Sequence, residues 1–134
     1  MDCSVIYYAA RKTSFCEKTL KRCFSPLHWR ISTAGFANGA QDLGERLIAA
    51  FDSGEICVVV GGLNFSDDRS AVRIMSHAAV NSQPDLVRRL LCRGGCGYLL
   101  CAGGQLLLLL PDEPAQIEEI MCGNISKFIR NAIR

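Results

Sequence analysis

Apolar and polar positions along the chain alternate between runs of strand length and stripes of helical spacing. The continuous run Ile56–Val60 indicates a strand buried on both faces, as in the middle of a parallel sheet. Leu43, Leu47 and Phe51, by contrast, recur at the spacing of one helix face. Along the first sixty residues the pattern predicts strands over 4–10, 27–33 and 56–60, helices over 14–24 and 41–51, and a small loop over 34–39.

The second half of the chain combines helical stripes with one hairpin pattern. Two apolar runs lie on either side of the short segment Ala102-Gly103-Gly104, a spacing that is typical of a β-hairpin. Pro84 suits the first turn of a helix, and Gly94-Gly95 suits the end of that helix. The pattern predicts helices over 68–80, from near Ser82 to Gly94-Gly95, and over 114–133, with hairpin strands over 98–101 and 105–110.

Three strand-then-helix units, a hairpin and a long terminal helix define a fold class. They predict an α/β three-layer sandwich, in which a mostly parallel sheet with an antiparallel edge hairpin is covered by helices on both faces. A length of 134 residues suits one domain, residues 1–134. Ligands of such sheets bind beyond the carboxyl ends of the strands, which here selects the loops after Tyr8, Thr33 and Val60.

Composition and charge narrow the function classes. Apolar residues make up 49% of the chain, which excludes a disordered protein, and a net charge of +2 provides no clear basic face for nucleic acid. The first thirty residues lean basic, either as the solvated side of a helix or as an anion-facing surface. The very apolar run at residues 106–110 is far too short to span a membrane, and no export signal is visible. We therefore expect a cytoplasmic protein with no nucleic-acid or membrane partner.

The chain contains eight cysteines and no Cys-x-x-Cys motif. Cys92, Cys96 and Cys101 form one tight group, and their spacing matches no common zinc template. Without an export signal we expect reduced thiols. Most of the cysteines are interpreted as small buried apolar residues, with a metal or redox site as the alternative.

The loop after the central strand opens with Gly61-Gly62 and is the richest in candidate side chains. Glycine has no Cβ, so it permits unusual backbone angles and the close approach of a ligand. Asn64 and Ser66 can hydrogen-bond a ligand or the backbone of a turn. This loop is therefore the leading candidate for the functional site.

Asp67 and Asp68 lie where the next helix is predicted to start. In one interpretation they only cap that helix, whose first turn favours negative charge. In the other, one aspartate caps the helix while the other coordinates Mg²⁺ or orients a polar ligand. His28 and His77 are interpreted as packed or surface side chains, and the sequence contains no catalytic triad, phosphate loop or dinucleotide-binding glycine motif.

A second signal lies between the last two predicted elements, where Pro111 and Pro114 bracket the acidic pair Asp112-Glu113. Together with the earlier glycine loop, this turn resembles the molybdopterin-binding domain family, which includes molybdenum-cofactor biosynthesis proteins and the competence/damage-inducible protein A group. The resemblance covers roughly residue 31 to the end. The matching positions are Gly61-Gly62-Leu63, the pair Asp67-Asp68, Ser70 where the family often has threonine, and Leu110-Pro111 with Pro114 in the frame of a Leu-Pro-Gly-Asn-Pro turn.

The resemblance implies a function and a set of site residues. In the family, the glycine loop and its aspartate bind the phosphate end of the pterin or support nucleotide chemistry. The chain is then expected to be a molybdopterin-binding protein in molybdenum-cofactor biosynthesis or handling, with Mg²⁺-dependent pterin or nucleotide chemistry and assembly into a homo-oligomer. The implied residues are Gly61, Gly62, Asn64, Ser66, Ser70, Pro111 and Pro114 for cofactor binding, Asp67 and Asp68 for catalysis, and Asp68 for the metal ion.

The chain also departs from the family pattern. Asp112-Glu113 occupies the position of the family's Gly-Asn, and the glycine loop is about one residue shorter than in the competence/damage-inducible protein A group. An anionic pterin would meet several carboxylates here, which Arg69, Arg73 or a metal ion would have to offset. Two alternatives therefore stand beside the leading hypothesis: a non-catalytic scaffold or regulatory module that keeps the fold without the ligand site, and an unrelated α/β nucleotide-responsive protein that binds at the same loop.

Overall fold

The structure of the protein is a computed structural model. The structure describes residues 2–53, 56–63, 65, 67, 69–78, 86–102 and 105–122. The elements within these residues, in chain order, are β1 (Asp2–Tyr8), α1 (Thr13–Phe24), a 3-10 turn (Ser25–Leu27), β2 (Arg30–Ala37), α2 (Ala40–Ser53), β3 (Ile56–Val60), α3 (Ala71–Ala78), β4 (Leu86–Cys92), β5 (Gly95–Ala102), β6 (Gln105–Leu110) and α4 (Pro114–Met121).

The strands form one mixed sheet in the order β2-β1-β3-β6-β5-β4. β1 pairs in parallel with β2 and β3, and β3 pairs in parallel with β6. β5 runs antiparallel to both of its neighbours, β6 and β4. The predicted α/β fold with a mostly parallel sheet and a hairpin is confirmed. The hairpin strand β6 lies inside the sheet beside β3, and β4 forms the edge.

Both faces of the sheet are covered by helices, which makes three layers. On one face, Val58 packs in a cluster with Leu20 of α1 and Ile117 of α4. On the other face, Val59 packs in a cluster with Leu43 of α2 and with residues of α3. β3 is buried along its whole length because its side chains alternate between these two clusters. β6 is buried in the same way, with residues 106–110 all at most 1% exposed.

β2 begins and ends later than the sequence pattern predicts. The 3-10 turn is followed by His28, which adopts a left-handed conformation with φ 58°, so the strand starts only at Arg30. The strand then continues through the predicted loop at 34–39, because the backbone pairs with β1 as far as Ala37. The loop at the carboxyl end of this strand therefore follows Ala37, and the expectation that it follows Thr33 is wrong.

The helix predicted from Ser82 to Gly94-Gly95 is wrong from Leu86 onward. The chain forms the edge strand β4 there, and each of its residues from Leu86 to Cys92 pairs with β5. The last helix is described as far as Met121, so the rest of its predicted length lies outside the described residues. None of the helices within the described ranges is long and apolar enough to cross a membrane.

Candidate functional site

A pocket of about 390 Å³ lies at the carboxyl edge of the sheet. The parallel strands β1, β3 and β6 end side by side at this edge, so the loops that leave them meet there. The turn between β4 and β5 reaches the same edge, because β4 runs in the same direction as β6. The described residues that line the pocket are Arg11, Gly61, Gly62, Leu63, Gly94, Gly95, Cys96, Pro111, Asp112, Glu113 and Gln116.

The two glycines after β3 are required by the packing of the loop against the end of β1. Gly61 and Gly62 adopt φ values of 98° and 74°, in the region that favours glycine. A Cβ on Gly61 would lie 2.3 Å from the carbonyl oxygen of Tyr8, and one on Gly62 would lie 2.3 Å from the Tyr8 ring. The Gly61 N–H donates to the carbonyl of Leu110 at 2.9 Å, which extends the β3–β6 pairing into the loop. Both glycines therefore hold the wall of the pocket in place.

The next part of the loop is organised around an ion pair. Asp67 accepts hydrogen bonds from Arg69 at both carboxylate oxygens, from Nε at 3.1 Å and from an outer guanidinium nitrogen at 2.9 Å, and also from the Arg69 backbone N–H. The bonds from the Arg69 side chain have the largest effect, followed by the bond from its backbone, and together they lower the pKa of Asp67 from 3.8 to about 2. The guanidinium lies 4.6 Å from the centre of the Phe65 ring, and the Tyr8 hydroxyl donates to the Arg69 carbonyl at 2.7 Å.

The remaining residues predicted for the site are placed as follows. Gly61, Gly62 and Pro111 line the pocket, whereas Asp67, Ser70 and Pro114 are not among its described lining residues. Ser70 is 7% exposed and precedes α3, where its carbonyl accepts from the Ile74 N–H, and Pro114 opens α4. Asn64, Ser66 and Asp68 lie outside the described residues.

The acidic turn after β6 is paired with two basic residues of the β1–α1 loop. The Asp112 carboxylate accepts from the Arg11 backbone N–H at 2.9 Å and from its Nε at 3.3 Å. Lys12 Nζ lies 3.0 Å from the Glu113 carboxylate. The Asp112 side chain is 12% exposed and that of Arg11 is 79% exposed, so the guanidinium remains open to solvent at the rim of the pocket. The charge that offsets this turn comes from Arg11 and Lys12, and the predicted Arg69 instead pairs with Asp67.

The β1–α1 loop has a constrained backbone. Ala9 and Lys12 adopt positive φ values of 48° and 55°, which cost energy in residues with a Cβ. This conformation places the Arg11 N–H against Asp112. Topology alone selects this loop from the sequence, and none of its residues is among those predicted for the site. The basic lean of the first thirty residues, in its anion-facing interpretation, is the signal that could have identified Arg11.

The β4–β5 turn forms the far wall of the pocket. Gln116 of α4 donates from its side-chain nitrogen to the Arg93 carbonyl at 3.1 Å, and the Arg93 N–H donates to Glu119 at 3.0 Å. A Cβ on Gly94 would lie 3.3 Å from the Gln116 side chain, so the turn packs closely on α4. The sequence pattern does not predict this wall, because Gly94-Gly95 suits the end of a helix.

The size and chemistry of the pocket define what it can hold. A volume of about 390 Å³ is within the range of small-molecule sites, roughly 300–1,000 Å³. The Arg11 guanidinium suits a phosphate or carboxylate, whereas Asp112 and Glu113 oppose an anion unless their basic partners remain close. Within the part of the chain that the structure describes, no three His, Cys, Asp or Glu side chains lie close enough together to hold a metal ion. The described residues therefore fit a small polar ligand with one anionic group.

Comparison with known proteins identifies structures with the same fold. The sequence matches no model of a known protein family and no curated protein sequence. The structure is similar to that of CinA, a protein of unknown function from Thermoplasma acidophilum, with a TM-score of 0.73 and 13% identity over 96% of this chain and 99% of that one. It is also similar to the molybdopterin biosynthesis Mog protein from Mycobacterium ulcerans, with a TM-score of 0.70 and 15% identity over 98% of each chain.

A third structure is also similar in fold and low in sequence identity. The molybdopterin biosynthesis enzyme MoaB from Thermus thermophilus gives a TM-score of 0.69 and 10% identity over 98% of this chain and 96% of that one. At such identities the likeness establishes the fold. The chain has the α/β fold that these molybdopterin-biosynthesis proteins share, and the resemblance predicted from the glycine loop and the proline turn is confirmed at the level of the fold.

Proposed function

We propose that this chain binds molybdopterin, or a similar phosphorylated pterin, in the pocket between Gly61-Gly62 and the acidic turn Asp112-Glu113, and that it acts in molybdenum-cofactor biosynthesis or handling. One observation carries the proposal: a pocket of suitable size lies at the carboxyl ends of β1, β3 and β6, with Arg11 at its rim. The fold supports it, because two of the similar structures are molybdopterin-biosynthesis proteins that match over nearly their whole length. We also propose that the protein works in the cytoplasm, as a homo-oligomer.

The residues divide into three roles in this proposal. Arg11, supported by Lys12, holds the anionic end of the ligand through charge-assisted hydrogen bonds. Gly61 and Gly62 shape the wall against which the ligand lies, together with Pro111. The Arg11–Asp112 pair must loosen for the guanidinium to turn to the ligand, and the 79% exposure of Arg11 leaves room for that movement.

A magnesium ion would supply charge neutralisation for phosphate chemistry. The residues proposed to hold it or to assist catalysis are Asp67 and Asp68. Both carboxylate oxygens of Asp67 accept hydrogen bonds from Arg69, so this side chain does not fit a metal ion unless the pair opens. The metal-dependent part of the proposal thus rests on Asp68, which lies outside the described residues.

Isothermal titration calorimetry with molybdopterin, and separately with ATP and Mg²⁺, tests the proposal. We expect saturable binding that weakens about tenfold in Arg11→Gln, the loss of roughly 1.4 kcal/mol of binding free energy. Arg30→Gln is the matched control, since Arg30 is equally exposed and paired with Asp2 but remote from the pocket. The absence of heat for both ligands, with folded protein, would overturn the proposal.

The rim charges favour a second candidate function, a non-catalytic scaffold or regulatory module. Asp112 and Glu113 already occupy Arg11 and Lys12, so the cationic groups that would hold a phosphate are satisfied internally. Replacing Asp112 by Gly and Glu113 by Asn together separates the two functions. New or stronger pterin affinity in this double variant indicates a ligand site that the acidic turn restrains, whereas continued absence of binding favours the scaffold.

A further inference from the structure

Two cysteines that are distant in sequence meet at one end of the helix pair α1–α4. The Sγ atoms of Cys23, in the last turn of α1, and Cys122, directly after α4, lie 3.8 Å apart. Cys23 is 5% exposed, whereas Cys122 is exposed to solvent. An ion pair at 3.0 Å between Arg22 and Glu118 joins the same two helices beside the thiols. This arrangement brings a buried and an accessible thiol together.

We propose that Cys23 and Cys122 are a redox modification site, at which a small disulfide oxidant such as oxidised glutathione crosslinks α1 to α4. A disulfide needs its sulfur atoms about 2 Å apart, so the two Sγ atoms, now 3.8 Å apart, must approach by roughly 1.8 Å. The exposed position of Cys122 at the end of its helix permits the rotation that closes this distance.

The reaction proceeds by two exchange steps. The Cys122 thiolate attacks one sulfur of oxidised glutathione, which forms a mixed disulfide and releases one glutathione thiolate. The Cys23 thiolate then attacks the Cys122 sulfur and releases the second glutathione thiolate. The two protons lost by the protein thiols pass through solvent to the two glutathione thiolates. The protein is oxidised by two electrons, and the oxidant is reduced to two glutathione molecules.

The second step depends on pH through the Cys23 thiol. Burial, as the larger cause, and the hydrogen bond with Cys122 raise the pKa of Cys23 to about 12. Its thiolate is therefore rare near neutral pH. Glu118 of α4 acts in the same direction, and Arg22 of α1 lowers the pKa. Since the thiolate fraction rises about tenfold per pH unit below the pKa, crosslinking is expected to accelerate as the pH rises.

The crosslink would tie together the helices that frame the pocket. α1 begins directly after Arg11 and Lys12, and α4 begins directly after Asp112 and Glu113. The rim ion pairs and the thiol pair therefore lie at opposite ends of the same two helices. Oxidation fixes the distance between these helices at one end, and the test of the crosslink itself requires no ligand.

The experiment oxidises the folded, fully reduced chain at low concentration with excess glutathione disulfide. Intact mass is expected to fall by two hydrogen atoms without a retained glutathione, and the thermal midpoint is expected to rise by about 5–10 °C. Digestion of the oxidised chain with trypsin and a glutamyl endopeptidase should release the peptides 23–30 and 120–127 joined by a disulfide, since each contains one cysteine.

Three serine variants make the assignment. Cys23→Ser and Cys122→Ser should each abolish the two-hydrogen loss and the thermal shift, whereas Cys92→Ser should retain both. Cys122 is exposed, so its variant remains folded even if the buried Cys23→Ser does not. An unchanged mass, a stable glutathione adduct at Cys122, an intermolecular disulfide, or a two-hydrogen loss that survives in Cys122→Ser would each overturn the proposal.

Discussion

The lack of space around Gly61 explains why glycine occupies the start of the pocket wall. Replacing Gly61 by Ala would bring the new Cβ against the Tyr8 backbone at a φ that disfavours side chains. We expect a loss of about 2–4 kcal/mol in the free energy of unfolding, measured by urea denaturation. Backbone atoms cannot move aside as the end of a side chain can, so the loss should be large.

Gly44→Ala in α2 is the control for that substitution. A Cβ at this position would lie 3.8 Å from a methyl group of Ile74, an ordinary contact. The helix propensity of alanine should then raise the free energy of unfolding by up to about 1 kcal/mol. Equal effects of the two substitutions would contradict the proposed packing of the glycine loop on β1.

Asp67 gives a pH-dependent prediction. Its pKa is lowered from 3.8 to about 2 by Arg69, so the ionised form stabilises the folded chain above pH 3.8, and this stabilisation is lost as the pH falls toward 2. NMR titration of the Asp67 carboxyl carbon should give a pKa near 2, and Arg69→Gln should return it toward 3.8. Both side chains are more than half exposed, so added salt should weaken the shift. A value near 3.8 in the unmodified chain would contradict the ion pair.

Some residues that line the candidate pocket could be predicted from the sequence and others could not. Gly61-Gly62 could be located because a buried strand, a glycine pair and a following helix are local signals. The ion pair of Arg11 with Asp112 could not be predicted, because the two residues are 101 positions apart and only the assembled sheet brings them together. Ion pairs between residues distant in the chain have no signature in the local sequence. The side chains that set the charge of the pocket can therefore be identified only from the folded structure.

At the level of elements, β4 shows why periodicity alone can mislead. Leu86, Val87, Leu90 and Leu91 have the spacing of a helical stripe, and Arg88 with Arg89 interrupts the alternation that would indicate a strand. The backbone nevertheless pairs with β5 over seven residues. Pairing with a neighbouring strand outweighs the local pattern, because edge strands tolerate exposed apolar and charged residues.

Neighbouring substitutions in β4 test this assignment. Leu91 is 73% exposed, whereas Leu90 packs partly buried against the core on the α1–α4 face. In a strand, Leu91→Lys should change the free energy of unfolding by no more than about 0.5 kcal/mol, and Leu90→Lys should cost about 1–3 kcal/mol. Urea denaturation of both variants measures the contrast. Similar costs would instead favour the helix, in which both leucines share one stripe.

At the level of the whole molecule, the three-layer arrangement was predictable and the sheet order only partly so. The alternation of strands and helices was sufficient to predict the α/β fold class, since parallel strands are joined by helical crossovers that cover the faces of the sheet. The position of β6 inside the sheet depends on long-range pairing with β3. This position also places residues 106–110 between the two helical layers, so their apolar character is explained within one chain.

The homo-oligomer remains a prediction that rests on the resemblance alone. The apolar residues 106–110 are buried by the chain's own helices, so they leave no apolar surface that an oligomer would have to cover. We still expect dimers or trimers by light scattering, as the resemblance implies. A monomer at all concentrations would contradict this expectation without affecting the fold.

The position of the ligand site is tested most directly by ¹H–¹⁵N NMR during titration with molybdopterin. A second groove of about 310 Å³, lined in part by Thr33, Gly35 and Arg46, provides the comparison within the same molecule. The proposed function predicts saturable shifts of the amides of Gly61, Gly62 and Gly94, with the Gly35 amide unchanged. Shifts confined to Gly35 and its neighbours, or no shifts at all, would contradict the proposal that this protein binds its ligand between the glycine loop and the acidic turn.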